Sequence, residues 1–230
     1  MKAKHWLYGI IFDLDGTLLD TLEDIADAEN AALAEFGLAP LPVDDYRYIV
    51  GGGAENIARK LLPEHLQDEQ HLQDYMNRFR HYYHLNWHNK SRLYPGVSAM
   101  IDTLIALDVK LAILSNKPEE FALKIVEYFF PNRQGERDSN IFTHVIGQRS
   151  GFPTKPDPAL ALSIVDAWHC EAKQVGFMGD SDVDILTALR AGMLPLGAEW
   201  GFRGRDELLS SGAEIVLTNP MDLFLYLDQY

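Results

Sequence analysis

Two aspartates stand two residues apart in the run Phe12-Asp13-Leu14-Asp15-Gly16-Thr17, directly behind the apolar stretch Leu7 to Phe12. On an extended backbone their side chains point the same way. Carboxylates so placed repel each other, so one takes a proton or a cation neutralises the pair. Gly16 permits a sharp turn there, and Thr17 adds a hydroxyl and an N–H at the same point. A bare Asp-x-Asp is more often a surface turn, so the pair alone decides nothing. A calcium loop is excluded. An EF-hand sets oxygen ligands at its first, third and fifth positions and its glycine at the sixth. Here Gly16 follows the second aspartate directly, and a strand precedes the pair.

Three further groups have the right chemistry. Ser115-Asn116-Lys117-Pro118 closes the apolar run Val109 to Leu114. Pro118 suits the first turn of a following helix, which would set Ser115 beside free N–H groups where a phosphate can bind. A plain helix cap explains Ser-Asn equally well. Lys155-Pro156-Asp157-Pro158 opens another helix, and its lysine could neutralise a nucleophilic carboxylate and transferring phosphoryl oxygens. Taken alone it reads as an exposed lysine in a proline-rich loop. Gly179-Asp180-Ser181-Asp182-Val183-Asp184 follows the run Val175 to Met178. Asp180 falls at the strand end, and Asp184 can face the same cleft one helical turn on. Asp182 is explained by the helix dipole. Magnesium favours a few carboxylates with water and substrate phosphate, so a second acidic cluster near Asp13 would complete a site. Each group is weak alone. Four in this order, each at an expected strand end, are strong together.

The elements that must position these groups follow from hydrophobic pattern. Leu7 to Phe12, Val109 to Leu114, Val175 to Met178 and Glu214 to Leu217 read as buried parallel strands. Helical patterns cover Val97 to Leu107, Glu119 to Phe130, Pro158 to Trp168 and Asp182 to Ala191. This alternation predicts a doubly wound, Rossmann-like α/β fold with a parallel sheet. Residues 20–90 break the pattern. Leu22, Ile25, Ala26, Ala32, Leu33 and Phe36 mark a helix face that Gly37 can end. Two shorter helical stretches flank Gly51-Gly52-Gly53, and another runs from about Glu69 to Trp87. We expect a core of residues 1–19 and 91–230 and an all-helical insert of residues 20–90 after the first strand, with the chain returning at Tyr94-Pro95-Gly96. The polar stretch Pro131 to Asn140 reads as an exposed loop.

The chain has 230 residues, 47% apolar and 23% charged, the mix of a globular protein able to bury a full core. Its formal charge of −14 excludes nonspecific binding to nucleic acid or anionic membranes. It also opposes approach of a phosphorylated substrate, so an anion site must come from local lysines, N–H groups or a metal ion. Cys170 is the sole cysteine, which fits a reducing compartment. The short apolar run near the N-terminus has no small-residue cleavage site behind it, and no stretch reaches the ~18 apolar residues of a membrane span. The reading is a cytoplasmic protein.

With these residues in place the sequence resembles the haloacid dehalogenase superfamily. The matching positions are Asp13-Leu14-Asp15-Gly16-Thr17 with Asp20, Ser115-Asn116, Lys155-Pro156, and Gly179-Asp180-Ser181 with Asp184. Within it the chain is most similar to phosphoglycolate phosphatases, through Arg47 to Gly53 and Lys155-Pro156-Asp157-Pro158. The helical insert resembles that family's cap. The resemblance implies a phosphatase in which Asp13 attacks phosphorus to form an aspartyl-phosphate and Asp15 acts as general acid, then base. It assigns Mg2+ to the Asp13 carboxylate, the Asp15 carbonyl and Asp180, with Asp184 in support. Gly16, Thr17, Ser115, Asn116 and Lys155 then hold the phosphoryl oxygens of a small phosphorylated metabolite, 2-phosphoglycolate foremost. Arg47, or the N–H groups of Gly51 to Gly53, could meet a substrate carboxylate, although an exposed helix arginine explains Arg47 as well. The Tyr and His residues between Tyr75 and His88 read as packing and surface. Asp15 is the aspartate that the dehalogenases lack, which turns the reading from dehalogenation towards phosphate transfer. A sugar-phosphate phosphatase or a β-phosphoglucomutase-like mutase remains a rival, weakened for the mutase by Thr17. From another class, so does a non-catalytic phospho-ligand-binding protein.

Overall fold

The computed structural model describes residues 7–131 and 141–227. In chain order the elements are β1 (Gly9–Phe12), β2 (Leu19–Asp20), α1 (Leu22–Glu35), α2 (Ala54–Leu61), α3 (Glu69–Asn86), β3 (Arg92–Leu93), α4 (Val97–Ala106), β4 (Lys110–Pro118), α5 (Glu119–Phe129), β5 (His144–Gln148), α6 (Ala159–Trp168), β6 (Val175–Gly179), α7 (Asp182–Ala191), β7 (Leu194–Ala198), α8 (Arg205–Ser210), β8 (Ile215–Leu217) and α9 (Leu223–Leu227). Six strands form one parallel sheet in the order β5-β4-β1-β6-β7-β8. This is the expected doubly wound α/β architecture.

β1 shows why the sequence makes such a sheet. Ile10, Ile11 and Phe12 are all fully buried, because a strand covered on both faces must be apolar throughout. Their side chains alternate. Ile10 and Phe12 join α4 and α5 residues such as Met100, Leu104, Phe121 and Ile125. Ile11 joins Ile164, Val165 and Trp168 of α6 and Ala188 of α7 on the other face. Gly9 gives Trp168 its room: a Cβ there would lie 2.4 Å from the indole.

The chain enters the sheet at β1 and adds β4 on one side and β6 on the other. At such a switch point the carboxyl ends of neighbouring strands part and leave a crevice. Asp13, Ser115 and Asp180 all lie at that end.

α1, α2 and α3 pack on one another beside the crevice, with Ile25, Leu33, Leu72, Tyr75 and Phe79 continuous with the main core. The chain passes to and from these helices side by side. β2 pairs antiparallel with β3, Leu19 opposite Leu93 and Asp20 opposite Arg92, and the Arg92 guanidinium donates to Asp20 at 2.6 Å. Asp24, at the start of α1, accepts from the N–H groups of Lys90 and Ser91 and from the Ser91 hydroxyl at 2.7 to 3.1 Å.

Besides the short β2–β3 pair, two strands of the main sheet were not expected. β7 contains Pro195 and Gly197, which depress strand propensity, and β5 is a short edge strand that is mostly half-buried. Pro118 also differs from expectation. It ends β4, paired with Gln148, and caps α5, so Ser115 lies on the strand rather than beside a helix start. The expected loop lies, apart from Pro131, outside the described residues. Among the described residues no helix is long and apolar enough to cross a membrane.

Candidate active site

Asp13 leaves the end of β1 with its N–H donated to Met178 O at 2.9 Å, which fixes it against β6. Its carboxylate is buried, and Oδ1 accepts from Leu14 N at 2.7 Å. Lys155 places its ammonium 2.9 Å from the same Oδ1 and 2.6 Å from Oδ1 of Asp184. Asp184 is fully buried, and its other oxygen accepts from the hydroxyl and N–H of Ser181 at 2.7 and 3.2 Å. Asp184 thereby closes a capping box at the start of α7.

Asp180 completes the cluster. Oxygens of Asp13, Asp180 and Asp184 all lie within 4.8 Å of one another, and all three residues are buried. Thr17 Oγ1 donates to Asp180 Oδ1 at 3.3 Å, and Phe202 N to Oδ2 at 2.7 Å. Two glycines hold this carboxylate between them. A Cβ on Gly16, whose φ is +82°, would lie 2.3 Å from Asp180 Oδ2, and one on Gly201 would lie 2.2 Å from Asp180 Cβ.

Three carboxylates at this spacing in a dry site strain their own ionisation. Burial pushes Asp13 up to about 6, resisted by Lys155 and helped by Asp184. Asp180 is raised well above the ordinary range by burial, then by Asp184 and Asp13. Lys155 behaves in the opposite sense. Burial works against its charge, but Asp13 and Asp184 outweigh it and hold the ammonium protonated. One cation thus faces three carboxyl groups. An all-oxygen donor set with a charge deficit fits a hard divalent cation, and Asp13, Asp180 and Asp184 are the residues that would hold it.

Asp15 belongs to a different environment. Its carboxylate accepts both Lys117 Nζ contacts, at 2.8 and 3.0 Å, and the Thr21 hydroxyl at 2.8 Å. Its side chain is therefore turned from the acidic cluster. Lys117 is buried, with Nζ 4.5 Å from the ring of Tyr83 of α3. Burial lowers its charged form, but Asp15 overcomes this and its pKa is raised.

A cavity of about 600 Å³, including its mouth, opens above these groups. Asp13, Asp15, Ser115 and Asp180 line it from the sheet, with Ile57 and Phe79 opposite. Gly51 and Gly53 line it as well. Asn116, expected to hold phosphoryl oxygens, has its amide engaged elsewhere. It accepts from Lys155 N at 2.9 Å and donates to Lys155 O and Gly51 O at 3.0 Å each. It fixes the backbone that carries Lys155. Thr17 is fully buried and meets Asp180 rather than the cavity. Arg47 lies outside the cavity, paired on the surface with Asp44 at 3.3 Å. The cation that does line the cavity there is Arg203, in the loop after β7. Neither Arg203 nor the Asp15 partnership of Lys117 was read from sequence. The one signal for Lys117 was its place two residues after Ser115.

A parallel α/β sheet with a buried acidic cluster and a lysine at its switch point suits the chemistry of phosphoryl transfer. The chain belongs to the haloacid dehalogenase-like hydrolase family, whose profile matches residues 10–198. It is 33% identical to a phosphoglycolate phosphatase of Psychrobacter arcticus over 94% of this chain and 90% of that one. It is 31% identical to one of Aquifex aeolicus over 96% and 97%. Among solved structures, a predicted phosphoglycolate phosphatase from Haemophilus somnus 129PT superposes with a TM-score of 0.86 at 27% identity, covering 96% of this chain and 97% of that one. The protein is a phosphatase, an enzyme acting on phosphoric monoesters.

Proposed function

We propose that this enzyme hydrolyses 2-phosphoglycolate to glycolate and phosphate through an aspartyl-phosphate on Asp13, with Mg2+ as cofactor. The observation that carries the reading is the separation of two carboxylates two residues apart. Asp13 lies in the dry acidic cluster with Lys155, while Asp15 is held apart by Lys117 and Thr21. One aspartate is thereby set up for nucleophilic attack and the other for proton transfer. The names of the relatives supply the substrate.

In the first step an Asp13 oxygen attacks phosphorus in line, and the bond from phosphorus to the ester oxygen breaks. Asp15, protonated at that point, gives its proton to the departing alkoxide. In the second step the Asp15 carboxylate takes a proton from water, the water oxygen attacks phosphorus, and the Asp13–phosphorus bond breaks. Inorganic phosphate leaves and both aspartates return to their starting forms. Lys155 holds positive charge beside the attacking carboxylate, and Ser115 faces the cavity where phosphoryl oxygens would lie. Asp13, Asp180 and Asp184, with the Asp15 carbonyl, would hold Mg2+, which would supply the charge neutralisation that lets one anion approach another.

In this reading residues 20–90 form a cap that closes over residues 1–19 and 91–230 and excludes water. The lone cysteine supports a cytoplasmic setting.

Phosphate release from 2-phosphoglycolate by the purified protein with Mg2+ is the direct test, run beside Asp13→Asn. The variant is expected to lose at least ~10³-fold in kcat. An Asp13→Asn protein that still turned over would remove Asp13 as nucleophile.

A further inference from the structure

Two cations line the cavity, Lys117 and Arg203, and their hydrogen bonding differs. Lys117 has both Asp15 oxygens within 3.0 Å. Arg203 is only 9% exposed, yet its fork is incompletely satisfied. Nε lies 3.3 Å from Glu207 Oε1, and Nη2 donates to Val50 O at a long 3.4 Å. Nη1 is buried and has no hydrogen-bond partner among the described residues.

A buried guanidinium N–H without an acceptor is costly, and such a group in a native structure calls for an explanation. Arg203 is also held in place. Its guanidinium carbon lies 4.8 Å from the ring of Tyr48, and its bond to Val50 ties it to the segment leading into Gly51. Lys60 grips the same segment through Tyr48 O and Ile49 O at 3.1 and 3.2 Å. The N–H is thus part of a fixed frame at the seam between the sheet and the helices. What is missing is an acceptor for Nη1, on a residue that itself lines the cavity. A carboxylate matches a guanidinium edge in shape and charge.

We propose that Arg203 recognises a carboxylate on the substrate through Nη1, and so selects phosphorylated hydroxy acids over phosphate esters that lack a second anion. This deepens the phosphatase reading and rests on it. The phosphoryl end of the substrate would sit over Asp13 and its carboxylate end would turn towards Arg203, in the place that the sequence suggested for Arg47. A site built to hydrogen-bond a substrate group rejects the analogue lacking it, because its own polar atoms are then left unpaired.

The test compares 2-phosphoglycolate with ethyl phosphate, which has no carboxylate, in the wild type, Arg203→Gln and Arg203→Lys, all with Mg2+. The wild type is expected to prefer 2-phosphoglycolate. Arg203→Gln is expected to raise KM for 2-phosphoglycolate by about 10- to 100-fold, the range for losing a charge-assisted hydrogen bond. Its kcat/KM for ethyl phosphate should change by less than about threefold. Arg203→Lys keeps the charge without the fork and should lose at least about threefold of the preference. Equal loss on both esters would mean that Arg203 merely braces the Tyr48–Val50 segment, and overturns the proposal. So does an unchanged KM in Arg203→Gln. If Arg203→Gln does not fold, Arg203→Lys decides, and undiminished preference there overturns the idea. A wild type that cleaves ethyl phosphate without preferring the carboxylate ester removes Arg203's role and leaves the phosphatase standing. A wild type that cleaves neither overturns both.

Discussion

Lys117 holds Asp15 by both oxygens in a pocket closed by the Tyr83 ring, and that arrangement sets where the proposed proton donor waits. We assign Lys117 as a positioning residue for Asp15. Lys117→Met leaves Asp15 to Thr21 alone and should lower kcat on alkyl phosphates by ~10- to 100-fold, the scale of misplaced acid–base catalysis. On p-nitrophenyl phosphate the loss should be much smaller, because nitrophenolate departs without a proton. Equal losses on both esters would show a structural defect instead. Sequence could not have given this pair. Asp13, Asp15, Asp180 and Asp184 were legible because each sits at a strand end or in a first helical turn, where local pattern fixes position. Lys117 meets Asp15 across 102 residues of chain, and Arg203 reaches the cavity from a loop with no periodicity. Thr17 and Asn116 carry contacts that local pattern does not show, to Asp180 and to the backbone of Lys155.

At the scale of elements, α1 carries a buried charge problem of its own. Glu29 is 1% exposed and accepts from the Tyr75 hydroxyl of α3 at 2.6 Å. Burial raises its pKa from the usual 4.5 to about 8, with the Tyr75 hydrogen bond opposing the shift. The folded protein therefore holds a proton that the unfolded chain releases above about 4.5. Folding stability should fall as pH rises from there and level off above about 8. Glu29→Gln removes this slope, so its melting temperature should gain on the wild type as pH rises from 5 to 8. A parallel fall in both proteins would show that Glu29 is not the titrating group. The helices themselves were readable, since α1 and α3 each show an apolar stripe at helical spacing. β7 was not. Pro195 and Gly197 hide it, and only its place between β6 and β8 makes it a strand.

For the whole molecule, the formal charge of −14 and the buried acidic cluster act in the same direction. Without a cation, folding gathers Asp13, Asp180 and Asp184 against their mutual repulsion. Mg2+ at ~100 times its Kd should stabilise the fold by ~2.7 kcal/mol, a rise of roughly 5 to 10 °C in melting temperature for a chain this size. EDTA should reverse it, and Asp180→Asn should abolish most of it. A rise undiminished in Asp180→Asn would place the metal elsewhere.

The paired passage of the chain at Asp20–Arg92 and Asp24–Ser91 has a kinetic consequence. A helical unit joined by one flexible linker would drift from the cleft, and its return would be diffusive. As the cap proposed above, joined by two adjacent, hydrogen-bonded strands, it would be confined to swinging about them, with its position at the cleft set by geometry rather than linker length. Opening of that proposed cap would then resemble a door on its hinge, its swing rate set by how firmly Arg92 and Asp24 hold the frame. Turnover limited by product escape should therefore respond to changes at these two residues, neither of which lines the cavity.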